Sequence, residues 1–395
     1  MRVAFWATTF QADTQVMACH LAQQPDVDVL VAMVDPERYS REPVNRLLPL
    51  AARVIDRDLR SAEREIKSFA PDVLIVDNHL PKARLVERLY VLWHGFGWRT
   101  DDLARMRKEL SLLVGDVTRP NPNFRWHAVG DWDRDYRIHH SQLAPENVLV
   151  LGAPYSDLLL PRGALSSQLS RTDHSHHYTI PIDRSPTVMI GLTWHHGGAF
   201  GHWGDEATLL ATLCERIGAM NANVLLRMHD RHRYEASYLK LVDRVAARHP
   251  HVQVKFKSDS PDSLIDLLIS DVAVSNYSSL LNHFYYTGRA SVHIDPTPND
   301  GRTAYYRELK WGSVRKREIT DKTEQWKLAP DEIGGLRATS FDEMCAMIEQ
   351  GLREPRCCED KARAFIDRYI AGADGRSCER TNQALRAWLA PPNAP

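Results

Sequence analysis

The chain has almost no excess of charge of either sign: its 50 lysines and arginines face 51 aspartates and glutamates. A balance of this kind sets up no whole-molecule field towards nucleic acid or an anionic membrane, so nucleic acid is not expected as a partner and any phosphate chemistry must rest on local clusters. The start of the chain lacks a long hydrophobic run. Met1 to Ala7 turns polar by Thr8 and Asp13, too short for a signal peptide or a membrane span, and a cytoplasmic location is the resulting expectation. Paired cysteines are missing as well. The six cysteines are scattered, with no Cys-x-x-Cys and one adjacent pair, Cys357 and Cys358. They read as reduced thiols, with a redox or metal element at the adjacent pair as the other reading. His195, His196 and His202 lie near one another, but adjacent histidines on a loop rarely converge on one ion, and no carboxylate or cysteine stands at a recognised ligand spacing. No metal site is expected, and no cofactor is required. A repeat of about 20 to 50 residues is also absent.

What is present is an ordinary globular composition, 43% hydrophobic and 26% charged, which excludes the disordered and fibrous classes. At about 150 residues per domain the 395 residues make two or three domains, and two is the simpler start. Apolar runs at Arg2 to Ala7, Val27 to Val34, Pro71 to Asp77, Arg88 to Trp93 and Asn147 to Gly152 read as buried strands, with a helix from Asp13 to Gln23 between the first two. A second series follows: Thr187 to Thr193, Asn223 to Arg227, Val252 to Phe256, Asp271 to Val274 and Ala290 to Asp295, with helices at Ala207 to Met220, Ser263 to Ile269 and Leu280 to Tyr286. Strands alternating with helices imply parallel sheets covered on both faces. The expected fold class is therefore α/β, with two Rossmann-like halves facing a cleft. Residues 1–160 form the first half and 187–355 the second. The Ser-, His- and Pro-rich stretch 161–186 is a linker whose His174, His176 and His177 are solvated, and 356–395 supplies C-terminal helices that pack back on the first half.

Open α/β sheets bind ligands beyond the carboxyl ends of their strands, so polar residues there carry the chemistry. Ser275-Asn276-Tyr277-Ser278-Ser279 joins a strand to a helix, where free N–H groups favour an anion; simple helix capping explains the serines as well. Arg227 and His229 close another strand of the same sheet and by period 2 point to one side, as phosphate ligands or as surface partners of Asp230. His94, in Trp93-His94-Gly95, follows a strand of the first half, as a general base or as a histidine held inside a Gly-rich turn. Arg46, Arg53, Arg57, Arg60 and Arg64 fall in one helix-like region broken by Asp56, Asp58, Glu63 and Glu65. Such mixed charge reads as a solvated helix, with peripheral membrane docking as the alternative.

Taken in order, Trp93-His94-Gly95, Gly152-Ala153-Pro154 with Asp157, Thr193-Trp194, Arg227-Met228-His229, Asp271 through Ser279, and Asp374-Gly375-Arg376-Ser377 resemble the CDP-glycerol glycerophosphotransferase family of teichoic acid and capsule synthesis. The likeness spans nearly the whole chain. It implies a GT-B fold, a donor nucleotide held by the second half and a glycan or lipid-linked acceptor by the first. It also implies that His94 is the general base, that His229 joins it in catalysis, and that Gly95, Arg99, Thr193, Arg227, Ser275, Asn276, Ser278, Ser279 and His283 bind substrate. The chain departs from the family in having Asp230 where proline is usual, Ser275-Asn276 for Thr-Asp, His283 for an aspartate and Arg99 in place of a nearby lysine. Other readings of the same fold are a sugar-nucleotide glycosyltransferase, a UDP-sugar epimerase and a nucleotide-binding module without catalysis.

Overall fold

Runs of Val, Ile, Leu and Ala that lack polar alternation can be stable only where a sheet is covered on both faces. The computed structural model, which describes residues 1–8, 10–77, 79–92, 103–160, 170–192, 200–295, 304–310, 313–319 and 327–390, gathers these runs into two parallel sheets. Contacts divide the chain into two units. One is Met1–Phe96 with Asp101–Ser166 and Ile366–Pro395, and the other is Gly97–Thr100 with Ser167–Phe365.

The first unit holds strands β1 (Arg2–Ala7), β2 (Asp28–Met33), β3 (Arg53–Asp56), β4 (Val73–Val76), β5 (Leu89–Val91), β6 (Phe124–Ala128) and β7 (Val148–Val150). They lie in the order β3-β2-β1-β4-β5-β6-β7, parallel throughout. Val3, Ala4 and Phe5 of β1 and Leu30 to Ala32 of β2 are fully buried. The helix Ala12–Ala22 is buried on most of its circumference, including Asp13, Thr14 and Gln15.

The arginine-rich region expected as one helix is a helix at Val44–Leu47, the strand β3 and a helix at Ala62–Phe69. β3 is an exposed edge strand whose Arg53 pairs with Glu65 at 2.7 Å, and short charged edge strands resist further strand addition. Arg57 lies over the Trp6 ring, 5.2 Å from its centroid. The five arginines therefore do not share one helical face.

The C-terminal helix Ser377–Leu389 starts on Asp157, whose carboxylate accepts the N–H groups of Ser377 (2.9 Å) and Cys378 (2.8 Å). Those N–H groups have no partner within a helix, so Asp157 supplies the missing acceptors next to the positive end of the dipole. Gly152 has φ +87° and approaches the same segment, where a Cβ would lie 2.6 Å from the Ala371 carbonyl oxygen. Two of the family-like segments, Gly152 to Asp157 and Asp374 to Ser377, thus meet each other as a structural latch.

The second unit contains β8 (Thr187–Ile190), β9 (Asn223–Met228), β10 (Val252–Phe256), β11 (Val272–Ser275), β12 (Ala290–Ile294), the hairpin strands β13 (Ala304–Lys310) and β14 (Ser313–Ile319), and β15 (Leu336–Ala338). Its six-stranded sheet runs β10-β9-β8-β11-β12-β15, all parallel. Val188, Ile190, Val224, Leu226, Val274 and Val292 share one apolar core beneath the flanking helices.

Residues 170–186, expected as linker, are built into this unit. Arg171 pairs with Asp271 at 2.7 Å, Tyr178 donates to Asp266 at 2.6 Å, and Asn223 donates to the Pro181 carbonyl. Of the three histidines expected to be solvated, His176 is exposed, His177 is half-buried and His174 is buried. Composition misled because a Ser-, His- and Arg-rich run hides a short alternation of buried Tyr178, Ile180 and Ile182 and because the polar contacts reach distant residues.

All six cysteines are free, and the sulfurs of Cys357 and Cys358 lie 3.9 Å apart. Among the described residues no helix is long and apolar enough to cross a membrane.

Candidate functional site

In the second sheet the chain order reverses between β8 and β11, the position at which open parallel sheets leave a crevice at their carboxyl ends. The turn Ser275 to Ser279 leaves β11 at that position. Ser275 is fully buried and its hydroxyl donates to the Gly191 carbonyl just after β8, so it ties the two central strands rather than facing a ligand. Asn276 is buried too.

Tyr277 has φ +59°, a left-handed conformation that a bulky side chain adopts only at a cost. It is held there by its hydroxyl, which donates to the Pro330 carbonyl at 2.9 Å, and by edge-on packing against His293, ring centroids 5.2 Å apart. The reversal of direction at Tyr277 brings Ser278 to the N-cap of the helix Ser279–Tyr285, where its hydroxyl oxygen accepts the Leu280 N–H at 3.3 Å. Ser278 and Ser279 are half-buried, in contrast to Ser275. Capping takes one lone pair of the Ser278 hydroxyl and leaves its O–H able to donate.

Arg227 stands at the end of β9 and is 7% exposed. Its Nε faces Asp266 at 3.2 Å, and its Nη2 donates to the carbonyl of Asp262 at 2.9 Å and to that of Ser260. Nη1 is buried without a hydrogen-bond partner among the described residues. The guanidinium is thus fixed through two of its nitrogens, with the third left over.

Asp266 also receives Lys255 at 2.8 Å and the Tyr178 hydroxyl at 2.6 Å. Burial by itself would raise the Asp266 carboxyl, but the charges of Lys255 and Arg227 outweigh it and hold the group below the usual range. Two cations thus share the Asp266 carboxylate at the end of this sheet. Gly191 sits between the turn and this arginine: a Cβ there would come within 2.5 Å of the Leu280 side chain and 3.9 Å of Arg227 Cβ.

His229, just beyond β9, is lowered to about 4 by burial, against the raising effect of Asp230. Its Nδ1 lies 2.8 Å from the Asp230 carboxylate. Burial alone would raise the Asp230 carboxyl, but His229, Lys257 and Arg233 hold it below the usual range. His229 is consequently a neutral ring near pH 7, suited to hydrogen bonding rather than to supplying a cation. His283 is likewise lowered by burial, to about 3, so its imidazole adds no positive charge. Among the described residues no group of three or more His, Cys, Asp or Glu side chains is arranged to hold a metal ion.

His94, Gly95, Arg99 and Thr193 lie outside the described residues. The structure brings Arg227 and the Ser275 to Ser279 turn to one end of one sheet, and it adds residues that the sequence reading missed: Lys255, Asp266, Tyr178 and the supports of Tyr277. A signal for two of them was present. Lys255 interrupts Val-Gln-Val-Lys-Phe and Asp266 interrupts Leu-Ile-Asp-Leu-Leu-Ile, and a charge inside an apolar run marks a buried pair.

No protein family model matches the chain, and no curated protein sequence does. Among solved structures, the wall teichoic acid polymerase TagF is similar with a TM-score of 0.67 at 14% identity, over 98% of this chain and 89% of that one. The fold is GT-B. A UDP-GlcNAc 2-epimerase from Neisseria meningitidis, bound to UDP-GlcNAc, is similar with a TM-score of 0.59 at 13% identity, over 98% and 100% of the two chains. A glycosyltransferase from Rickettsia africae ESF-5 follows at 0.51 and 9%, over 100% and 99%. At such identities the likeness concerns the GT-B fold, which hosts transferases and epimerases alike.

Proposed function

We propose that this GT-B protein is a transferase that moves a polyol-phosphate unit, of the glycerol-phosphate kind, from a CDP-activated donor to a hydroxyl of a glycan or lipid-linked acceptor in cell-surface polymer synthesis. The observation that carries the donor site is the switch-point arrangement itself: the half-buried Ser278 and Ser279 open a helix beside Gly191, and Arg227 is pinned with Nη1 unspent. Backbone and hydroxyl donors with a fixed guanidinium match a pyrophosphate, which needs charge-assisted bonds from several directions.

In this reading Arg227, His229, Ser278 and Ser279 hold the donor phosphates, while Ser275, Asn276 and His283 shape the floor of that site. Gly95, Arg99 and Thr193 complete the substrate contacts. His94 takes the proton from the acceptor hydroxyl as its oxygen attacks the donor phosphorus, and the bond from that phosphorus to the nucleotide phosphate breaks, releasing CMP. The work is positioning and charge stabilisation, and neither metal nor cofactor is assigned a role in it.

A donor panel tests the reading. The purified chain is incubated with CDP-glycerol, CDP-ribitol and UDP-sugars in the presence and absence of acceptor and of a chelator. CMP release that depends on acceptor and survives the chelator supports it. Release of UDP points to a glycosyltransferase, and an isomerised sugar nucleotide without acceptor to an epimerase. Tight nucleotide binding without any product makes the chain a binding module.

A further inference from the structure

Just beyond β9 the side chains of His229 and Asp230 stand half-buried against each other. His229 Nδ1 lies 2.8 Å from a carboxylate oxygen of Asp230 and 2.8 Å from the Asp230 amide nitrogen. One atom cannot serve both at once. An unprotonated Nδ1 receives the amide N–H, and a protonated Nδ1 donates to the carboxylate. In the neutral ring that accepts the amide, as in the imidazolium, Nε2 carries a proton. The ring can therefore gain a charge without turning over, and it presents the same N–H donor before and after.

The groups that face the ring set when it does so. Asp230 favours the charged form, whereas burial, Lys257 and Arg233 oppose it. Lys257 is brought there by its backbone N–H, which donates to the Met228 carbonyl, and Arg233 shares the Asp230 oxygen at 3.4 Å. His232, near Asp230 and Arg233, is itself lowered by burial, and the Tyr234 hydroxyl that accepts the His229 backbone N–H is pushed up to about 12. One carboxylate thus faces two cations, and a third positive charge is disfavoured. A phosphate at the carboxyl end of β9 reverses that balance. An opposite charge at about 4–6 Å moves a histidine up by one to three pH units, here from about 4 to about 5–7.

We propose that Asp230 is a positioning residue that lets His229 take up a proton when the phosphates of a nucleotide donor bind, so that the ring holds the donor as an imidazolium between Asp230 and a phosphate oxygen. This rests on the donor-site reading above and adds to it a dependence of donor binding on pH. The proton comes from the solvent, and the N–H bond at Nδ1 is the one bond formed. Uptake is confined to the window between the free and the bound value: above both the ring is neutral in both states, and below both it is charged in both.

Calorimetric titration of the full-length chain in two buffers of different ionisation heat tests this, with CDP-glycerol and UDP-GlcNAc as ligands. Both are pyrophosphate diesters, which have no phosphate proton to gain or lose near neutrality. At pH 5.5 the wild type should take up about 0.2–0.9 of a proton per ligand bound, and at pH 8 almost none. Asp230→Asn should bind with that uptake largely lost. His229→Gln, which keeps a neutral donor, should also lose it, and this variant decides the matter where Asp230→Asn fails to fold or to bind.

Binding to the wild type without uptake at pH 5.5 overturns the proposal and leaves the donor site standing. Uptake that survives in Asp230→Asn or in His229→Gln overturns it as well. Uptake with UDP-GlcNAc and no binding of CDP-glycerol supports the proton coupling and refutes the CDP-linked donor. If neither nucleotide binds, the donor-site reading has failed and the proposal falls with it.

Discussion

Replacing Asp266 with asparagine probes the support of the candidate donor site directly. Asp266 is fully buried and holds Arg227 at 3.2 Å, Lys255 at 2.8 Å and the Tyr178 hydroxyl at 2.6 Å. Asparagine keeps the shape and one acceptor but leaves two cations facing each other with no counter-charge. Removing one partner from a buried ion pair costs about 3–5 kcal/mol, and that range is the expected loss for the second unit. Lys255→Met in the same background restores the native net charge of the cluster, so the double variant should recover about 1–2 kcal/mol or more of the loss.

The assay is urea unfolding at pH 7, with hydrogen exchange of the β9 and β10 amides to localise the effect. The Asp266 carboxyl is held below the usual range, so its contribution is complete above the unfolded value of about 3.9 and is lost as pH falls through the folded one. The deficit of the variant should therefore shrink below about pH 4. A loss under about 1 kcal/mol at pH 7, or single-variant losses that simply add, would refute the charge-compensation argument.

The opposite pH dependence is expected at Asp13, whose carboxyl burial pushes up to about 6 against the lowering effect of the Tyr155 N–H. A raised folded value makes its stabilising proton fully present below about pH 3.9 and lost as pH rises through about 6, so Asp13→Asn should stabilise the first unit by on the order of 3 kcal/mol at pH 7.5 and hardly at all at pH 3.5. Thermal melts at the two pH values check this, and a variant no more stable than wild type at pH 7.5 counts against it. Asp157→Ala removes the acceptor of the Ser377 and Cys378 N–H groups and should loosen the helix Ser377–Leu389 by about 1–3 kcal/mol, read as faster hydrogen exchange confined to that helix. Unchanged exchange there would mean that the latch does not depend on Asp157.

Much of the architecture was legible because parallel strands buried on both faces leave an unmistakable trace. Arg2–Ala7 falls where its apolar run places it, the strands at Val252 and Ala290 begin at those residues, and the helix Ser377–Leu389 lies within the stretch expected to be helical. The GT-B fold inferred from the ordered motifs is the fold found. In the first unit the strands that escaped notice are the ones with polar or exposed residues, β3 with Arg53 and Asp56, and β6 with Arg125 and His127, and in the second unit the charged hairpin strands β13 and β14 and the three-residue β15 escaped as well. His127 is tolerated inside the sheet because its ring nitrogens meet the Tyr90 hydroxyl at 2.8 Å and the Gly152 carbonyl at 2.6 Å. Such partners are invisible from the local pattern.

The turn at Ser275 to Ser279 shows where the boundary falls. That a strand ends there, that a helix begins, and that hydroxyls stand at the junction follow from neighbours a few residues away, whose apolar period and capping chemistry act locally. Which of those hydroxyls is spent and which remains half-buried was decided only when β8 came to lie beside β11 and drew Ser275 onto Gly191. The same holds for Arg227, whose fate depends on Asp266, and for Asp157, which waits for Ser377 far along the chain. Periodicity is a property of adjacent residues, whereas the desolvation and pairing of a polar group depend on whatever the order of the sheet brings against it.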